Sequence, residues 1–176
     1  MRVIGGQLGG RRLVAPRGRD TRPTSDRVRE ALFSILGSVD GERVLDLFAG
    51  SGALAIEALS RGAAAATLVD TSPTAVAAIR RNLSSLGLTA EVRRQPATAY
   101  LERARTTERQ YDLVFLDPPY RQASVLGREL SAALAPVLSQ AARVVVESDR
   151  RAALELDLPL LLQRGYGDTL IRIHGP

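Results

Sequence analysis

The sequence predicts an α/β fold, in which a mostly parallel sheet is covered by helices on both faces. From residue 43 onward, short apolar segments alternate with helical segments, and the connections between them are short. The apolar segments are nearly continuous, which is typical of strands buried on both faces. Because sheets of this kind bind ligands at the carboxyl ends of their strands, polar residues at those ends are the candidates for function.

Seven segments are predicted as strands. They cover 44–48, 65–69, 90–93, 111–116, 142–147, 160–163 and 169–173. The last two flank Gly165-Tyr166-Gly167, so we expect them to close the sheet as an antiparallel hairpin.

Helix caps mark the segments between the strands. Thr24 or Ser25 is predicted to cap the first helix, and Gly37 to end it. Ser72 followed by Pro73 provides a capping side chain and a proline at the first helical position. The later helices are predicted over 53–61, with Gly62 as the cap, and over 73–86, 97–105 and 122–138.

Basic residues are concentrated at the N-terminus. The 176-residue chain carries a formal net charge of +5, and the whole excess lies in its first 30 residues, where eight arginines face three acids. The chain is predicted to divide into a basic extension, residues 1–23, and a main domain, residues 24–176. Within the extension, segments 2–4 and 12–14 flank a glycine-rich turn and predict a β-hairpin. Five arginines of the extension are candidates to bind phosphate groups: Arg11, Arg12, Arg17, Arg19 and Arg22.

The composition excludes several classes of protein. The chain has no cysteine and one histidine, so disulfides, thiolate metal sites, cysteine nucleophiles and a Ser-His-Asp triad are not expected. His174 lies two residues from the end and is expected to be solvated. The apolar runs fall well short of the ~18 residues of a membrane span, and the N-terminus lacks a secretory signal, so we expect a cytoplasmic protein.

A glycine-rich turn follows the first strand of the sheet. The sequence from Asp46 to Gly52, D-L-F-A-G-S-G, leads from this strand into a helix, and its glycines allow a ligand to approach the backbone. Gly50 to Ala55 also fits the dinucleotide pattern G-x-G-x-x-G/A, with Asp70 at the offset of a ribose-binding acid, so a nicotinamide cofactor is one alternative. Asp46 favours a different ligand, because a carboxylate suits the ammonium of a methionine moiety better than a pyrophosphate.

The ends of the next two strands carry further candidates. Asp70 could accept hydrogen bonds from both hydroxyls of a ribose, or it could instead cap the helix that begins after Ser72. Ala97 follows the third strand, where backbone N–H groups could bind an adenine edge. Pro96, directly before it, offers no such donor.

The segment Asp117-Pro118-Pro119-Tyr120 carries the most specific pattern. Its two prolines fix the backbone and remove N–H donors, so the loop presents carbonyl oxygens and the Asp117 carboxylate as acceptors. Such acceptors bind an amine and orient it toward an incoming methyl group, and Tyr120 is placed to stack on the ring that carries the amine. The alternative is structural, with the prolines ending a strand and Tyr120 packing in the core.

Together the motifs resemble a known family. D-L-F-A-G-S-G at 46–52, an acid at 70 and D-P-P-Y at 117–120 are similar to class I S-adenosylmethionine-dependent N-methyltransferases, and the segment from Arg22 to Phe33 is similar to the RsmD family. Members of that family methylate N2 of a guanine in bacterial 16S ribosomal RNA. The resemblance implies a Rossmann-like, doubly wound, seven-stranded sheet with an antiparallel last strand. It also implies S-adenosylmethionine as cofactor, no metal, and 16S rRNA as partner, within the small ribosomal subunit or an assembly intermediate.

The resemblance also implies which residues bind each ligand. The cofactor would be bound by Asp46, Phe48, Ala49, Gly50, Gly52, Asp70, Thr71 and Ala97, the target guanine by Asp117, Pro118 and Tyr120, and the RNA by Pro119 and the five arginines. Pro96 departs from the family pattern, which usually has an acidic or amide side chain there for the adenine amine. Cofactor affinity is therefore the property that this departure would change.

Other functions share parts of these patterns. The pattern [DN]-P-P-[YFW] also occurs in adenine-N6 methyltransferases of DNA or RNA and in protein glutamine-N5 methyltransferases, so the choice of guanine depends on the N-terminal segment. A cytosine-C5 methyltransferase is excluded by the missing cysteine nucleophile. A non-catalytic RNA-binding or nicotinamide-binding domain would keep the glycines without needing residues 117–120.

Overall fold

The computed structural model describes residues 1–16, 25–118, 123–151 and 153–176, except for the side chains of 123–126. Its strands are β1 (Arg43–Leu47), β2 (Ala65–Asp70), β3 (Glu91–Arg94), β4 (Tyr111–Leu116), β5 (Leu138–Asp149), β6 (Leu160–Tyr166) and β7 (Thr169–His174). Its helices are α1 (Asp26–Leu36), α2 (Ala53–Ser60), α3 (Pro73–Leu86), α4 (Ala97–Thr106) and α5 (Ala123–Leu134), with short 3-10 helices at Gly6–Leu8 and Ala135–Val137. No helix in these ranges combines the length and apolar composition of a membrane span.

The seven strands form one sheet, in the order β3-β2-β1-β4-β5-β7-β6. β1 to β5 pair in parallel, whereas β7 runs antiparallel to both β5 and β6. The direction in which strands are added reverses between β1 and β4, and such a switch point is where sheets of this kind bind ligands. The predicted fold class, with its antiparallel closing hairpin, is confirmed.

Side chains alternate between the two faces of the sheet, and each face has its own core. Val44, Leu68 and Phe115 belong to one core, which also contains buried residues of α1, α2 and α3. Leu45 and Val69 belong to the other core, which they share with α4 and α5. Helices therefore cover both faces, as the continuous apolar strands predict.

Three of the predicted helix caps are present, at Ser25, Gly37 and Ser72. Ser25 accepts a hydrogen bond from the N–H of Val28 at 3.3 Å, and Gly37 ends α1 at a φ of 70°. Ser72 caps α3, with Pro73 as the first residue of the helix. Thr24, the other candidate cap of α1, lies outside the described residues.

Several predicted boundaries are wrong. β6 extends to Tyr166 rather than ending at 163, and β5 extends to Asp149 rather than ending at 147. α2 ends at Ser60, so Gly62 lies beyond its C-cap. α5 ends at Leu134 rather than at 138, because Pro136 cannot donate the next helical hydrogen bond and lies in a 3-10 turn. β5 begins at Leu138 rather than at 142.

The predicted N-terminal hairpin is present in a short form. Arg2 and Arg12 form a single antiparallel bridge, and the 3-10 helix Gly6–Leu8 occupies the turn between them. Val3 and Leu13 are buried in the core that contains α1. The described part of the extension therefore shares a core with the main domain.

His174 is buried, so the prediction that it is solvated is wrong. Only 3% of the residue is exposed, and its Nδ1 lies 3.0 Å from the carbonyl oxygen of Leu158. It pairs with Val144 of β5 on one side and with Leu160 of β6 on the other. Nearness to the end of the chain does not predict exposure here, because β7 is an internal strand.

Candidate active site

Acidic residues lie at or near the carboxyl ends of four neighbouring strands. Asp46 pairs with Phe115 in the register of β1 and β4, and Phe115 pairs with Val145 of β5. Residues two apart along a strand share a face, so Glu147 lies on the face of Asp46. Asp117 directly follows β4, close enough to Asp46 and Glu147 for their charges to raise its pKa. The four acids are Asp46, Asp70, Asp117 and Glu147. Within the described part of the chain, no cluster of acidic or histidine side chains has the arrangement of a metal site.

The turn between β1 and α2 combines strained backbone with open space. Phe48, Gly50 and Gly52 all have positive φ, at 67°, 55° and 77°. For a residue with a side chain, such as Phe48, this conformation costs about 1–2 kcal/mol. A Cβ atom on Gly52 would lie 2.8 Å from Cδ2 of Leu68, so packing requires glycine there. A Cβ atom on Gly50 would meet nothing within 4 Å, so the space beside Gly50 is free for a ligand.

Asp70 accepts hydrogen bonds from both this turn and the segment that begins α3. Its Oδ2 accepts a hydrogen bond from the N–H of Gly50 at 2.8 Å, and its Oδ1 accepts one from the N–H of Ser72 at 2.8 Å. Ser72, rather than Asp70, caps the helix. The carboxylate of Asp70 is partly exposed, and each oxygen retains a lone pair with which to accept a hydrogen bond from a ligand.

Asp46 lies in β1, four residues before Gly50, and is almost completely buried. Only 3% of the residue is exposed, and its Oδ2 accepts a hydrogen bond from the N–H of Ala55 at 3.3 Å. Burial raises the pKa of Asp46 to about 7, with the Ala55 hydrogen bond opposing this rise and the charge of Asp70 adding to it. A cation beside Asp46 would favour its ionised form. The position therefore suits a ligand with a positively charged group.

Asp117 directly follows β4, between the strand of Asp46 and the strand of Glu147. Burial raises the pKa of Asp117 well above its ordinary value, and the charges of Glu147 and Asp46 raise it further. Pro118, the next residue, is buried and has no N–H to donate. Pro119 and Tyr120, the rest of the predicted motif, lie outside the described residues.

Comparisons with known proteins establish the family. Residues 1–174 match the model of a family described as Conserved hypothetical protein 95. The chain is 39% identical over 180 residues to YlbH of Bacillus subtilis, covering 99% of this chain and 98% of that one. It is 44% identical over 124 residues to Ribosomal RNA small subunit methyltransferase D of Escherichia coli, covering 69% of this chain and 61% of that one. This chain belongs to the RsmD family of S-adenosylmethionine-dependent methyltransferases.

Solved structures of relatives share the RsmD fold along nearly the whole chain. The structure of YhhF from Escherichia coli has a TM-score of 0.84 and 35% identity, and the match covers 99% of this chain and 97% of that one. A protein of Thermus thermophilus has a TM-score of 0.87 and 31% identity, covering 100% of this chain and 99% of that one. The family predicted from the sequence motifs is confirmed.

The residues around the turn fit the family's cofactor, S-adenosylmethionine. Buried Asp46 can face the ammonium of its methionine moiety, and partly exposed Asp70 can face its ribose. The free space beside Gly50 adjoins Asp70, which accepts the hydrogen bond from the N–H of Gly50. Ala97 is buried at the first position of α4, and the N–H of Gln95 donates to the Asp70 carbonyl oxygen at 3.2 Å, so this segment lies beside the same strand end.

The remaining predicted site residues differ in solvent exposure. Ala49 is buried, and its N–H donates to the carbonyl oxygen of Val69 at 3.0 Å, while Thr71 is exposed. Arg11 and Arg12 are exposed. The predicted RNA-contacting arginines outside the described residues are Arg17, Arg19 and Arg22.

Glu57 holds the N-terminal extension against α2, a role that the sequence did not predict. Its side chain is fully buried. One carboxylate oxygen accepts from the N–H of Ile4 at 2.7 Å and the other from the N–H of Gly5 at 2.8 Å. Arg61 neutralises the buried charge through a salt bridge at 2.8 Å.

Asn82 is a second buried polar residue that the sequence did not predict. Its Oδ1 accepts from the N–H of Val14 at 2.8 Å. Its Nδ2 donates to the carbonyl oxygens of Val14 at 3.0 Å and Ser51 at 2.9 Å. Asn82 therefore joins the extension to the turn beside Gly50.

Of the four acids Asp46, Asp70, Asp117 and Glu147, Glu147 is the one that was not predicted as a functional residue. It follows the apolar run Val144-Val145-Val146 and is 9% exposed. An acid that ends an apolar run is the pattern that identified Asp70 and Asp117, so the same pattern could have identified Glu147.

Proposed function

We propose that this protein transfers the methyl group of S-adenosylmethionine to N2 of a guanine in 16S rRNA of the small ribosomal subunit. The observation that carries the proposal is the position of Asp117 and Pro118, beside Asp46 and the glycine-rich turn, in a chain of the RsmD family. The Escherichia coli relative is named as a small-subunit ribosomal RNA methyltransferase, which supports rRNA as the substrate class.

The cofactor is held by the turn and the neighbouring strand ends. When bound, S-adenosylmethionine supplies an electrophilic methyl group on a positively charged sulfur. Asp46 binds the ammonium, and because the pKa of this buried acid is about 7, the ligand's positive charge favours its ionised form. Asp70 binds the ribose hydroxyls, and Thr71 and Ala97 contact the nucleoside. The methionine end of the cofactor contacts the residues of the turn, Phe48, Ala49, Gly50 and Gly52.

Asp117 orients the target amine. Its carboxylate and the Pro118 carbonyl oxygen accept the two N–H groups of the guanine amine, which directs the nitrogen lone pair toward the methyl group. Positive charge develops on nitrogen as the new bond forms, and the Asp117 carboxylate stabilises that charge. Tyr120 stacks on the guanine ring and Pro119 contacts the RNA beside it.

The basic extension binds the RNA backbone. Arg11 and Arg12 are exposed, and the structure gives neither of them an acidic partner among the described residues. Together with Arg17, Arg19 and Arg22 they bind phosphates, an interaction that weakens as the salt concentration rises.

The experiment is transfer of labelled methyl to unmodified 16S rRNA and to small subunits that lack the modification, followed by identification of the product nucleoside. N2-methylguanosine is the expected product. N6-methyladenosine, or label on a protein glutamine, would instead favour one of the two other enzyme classes that share the D-P-P-Y motif. Cofactor binding without transfer to any amine would contradict the proposal.

A further inference from the structure

Asp117 and Glu147 are neighbours across two paired strands. Leu116, the last residue of β4, pairs with Val146 of β5, so Asp117 and Glu147 are the residues that directly follow this pair. Paired parallel strands lie about 4.8 Å apart, so the backbones at Asp117 and Glu147 are close together. Glu147 is 9% exposed, and no part of the proposed mechanism so far uses it.

We propose that Glu147 is a positioning residue that makes Asp117 the acceptor of the proton released during amine methylation. The inference rests on the proposed function, because it concerns a proton that only such a reaction releases. Methylation forms a bond between nitrogen and the methyl carbon and breaks the bond between that carbon and sulfur, whose electron pair remains on sulfur. The nitrogen then carries one proton too many, and this proton passes to a carboxylate oxygen of Asp117.

A carboxylate accepts that proton well only if its surroundings favour the protonated form. Two neighbouring carboxyl groups do so, since ionising both brings two negative charges together. The pair then holds one proton more tightly than either acid would alone. Burial raises the pKa of Asp117 most, and the charge of Glu147 contributes more to the rise than that of Asp46.

The other charged groups of this face are distributed around the pair. Asp46 of β1 lies on one side of Asp117, and Asp70 of β2 lies beyond it, in register with Arg94 of β3. On the far side, β7 pairs apolar Ile171 with Glu147. Among the described residues of this face, Asp117 therefore lies between the acids Asp46 and Glu147.

The test is a titration of the carboxyl groups by NMR in the full-length protein, with ¹³C-labelled aspartate and with Asp117→Asn to assign the resonance. In Glu147→Gln the titration midpoint of Asp117 should fall by about one pH unit or more, since a neighbouring negative charge is removed. Glu147→Asp keeps the negative charge, so the titration midpoint of Asp117 in this variant should stay closer to the wild-type value. Glu108→Gln is the matched control, because exposed Glu108 precedes β4 at the opposite end of the strand from Asp117.

The same variants are then assayed for methyl transfer across pH. In Glu147→Gln the acidic limb of the kcat profile should move to lower pH together with the titration midpoint, while KM for the cofactor changes little. In the wild type, the Asp117 resonance should show two inflections, as coupled acids do, and this measurement holds even if Glu147→Gln fails to fold.

Each outcome decides the inference. A single inflection in the wild type, or a midpoint that Glu147→Gln leaves unchanged, overturns the pairing. A midpoint that moves while the kcat profile stays fixed overturns the role in proton transfer. If the wild type titrates as a coupled pair but methylates no amine, the proposed function fails, and its failure is recognised separately from that of the pairing.

Discussion

Asn82 and Val14 are joined by two reciprocal hydrogen bonds, at 2.8 Å and 3.0 Å, although 68 residues separate them in the sequence. The same amide group of Asn82 donates to the carbonyl oxygen of Ser51 at 2.9 Å, and only 1% of Asn82 is exposed. One buried side chain therefore connects the basic extension with the turn that forms the proposed cofactor site.

Replacing Asn82 should weaken both stability and cofactor binding. Asn82→Ala removes three hydrogen bonds to the backbone of Val14 and Ser51, which we expect to lower the free energy of unfolding by about 2–4 kcal/mol, at roughly 1 kcal/mol for each hydrogen bond. Cofactor affinity should fall as well, because the turn loses the hydrogen bond between Asn82 and the carbonyl oxygen of Ser51. Urea denaturation and calorimetric binding of S-adenosylmethionine measure the two effects. Ser84→Ala, at an exposed position of the same helix, is the control, and similar values for the two variants would contradict the role of Asn82.

The raised pKa of Asp46 predicts how stability depends on pH. Its value of about 7 in the folded protein lies above the ordinary 3.8, so between these two values the folded state binds a proton that the unfolded state has released. The free energy of unfolding of the cofactor-free protein should therefore fall as pH rises from about 4 to 7. Asp46→Asn removes this loss and should be more stable than the wild type at pH 8 by about 2–4 kcal/mol. Denaturation curves recorded across this range test the prediction, which fails if the two proteins respond to pH in parallel.

Gly50 and Gly52 should respond differently to the same substitution. Both have positive φ, so alanine adds strain of about 1–2 kcal/mol at either position. In Gly52→Ala the new methyl group also collides with Leu68, so thermal unfolding should show the larger loss of stability there. In Gly50→Ala the methyl group enters the free space proposed for the cofactor, so the dissociation constant should rise at least about tenfold, as the loss of ~1.4 kcal/mol of binding energy implies. Unchanged cofactor affinity in Gly50→Ala would place the ligand elsewhere.

The exposed arginines of the extension should affect RNA binding alone. The double variant Arg11→Gln, Arg12→Gln should bind 16S rRNA more weakly, and the slope of log K against log salt should shrink by about 1–2 because fewer phosphates are neutralised. Cofactor affinity should stay at the wild-type value. Arg103→Gln, at an exposed position of α4, serves as the control. An equal loss for this control would show that general charge, rather than the extension, attracts RNA.

The strand ends were predictable from sequence because apolar runs that stop at an acid are a local pattern. Asp70 and Asp117 each follow such a run, whereas Asp46 interrupts one four residues before Gly50. Ser25 and Ser72 were predictable as caps for a similar reason, since a cap acts on backbone only three residues away.

The contacts between distant segments were not predictable. Glu57 and Asn82 lie inside helices, where a polar residue usually faces solvent, and their partners Ile4 and Val14 lie more than 50 residues away. The relation between Asp117 and Glu147 requires the register of β4 and β5, which the sequence does not contain.

The most direct test of the account compares the wild type with Asp117→Asn, using labelled methyl transfer to 16S rRNA and cofactor binding on the same samples. We expect N2-methylguanosine from the wild type, and at least a hundredfold lower kcat in the variant with an unchanged dissociation constant for S-adenosylmethionine, which is ~2.7 kcal/mol or more of lost transition-state stabilisation. Wild-type turnover in Asp117→Asn, or a product other than N2-methylguanosine, would contradict the account.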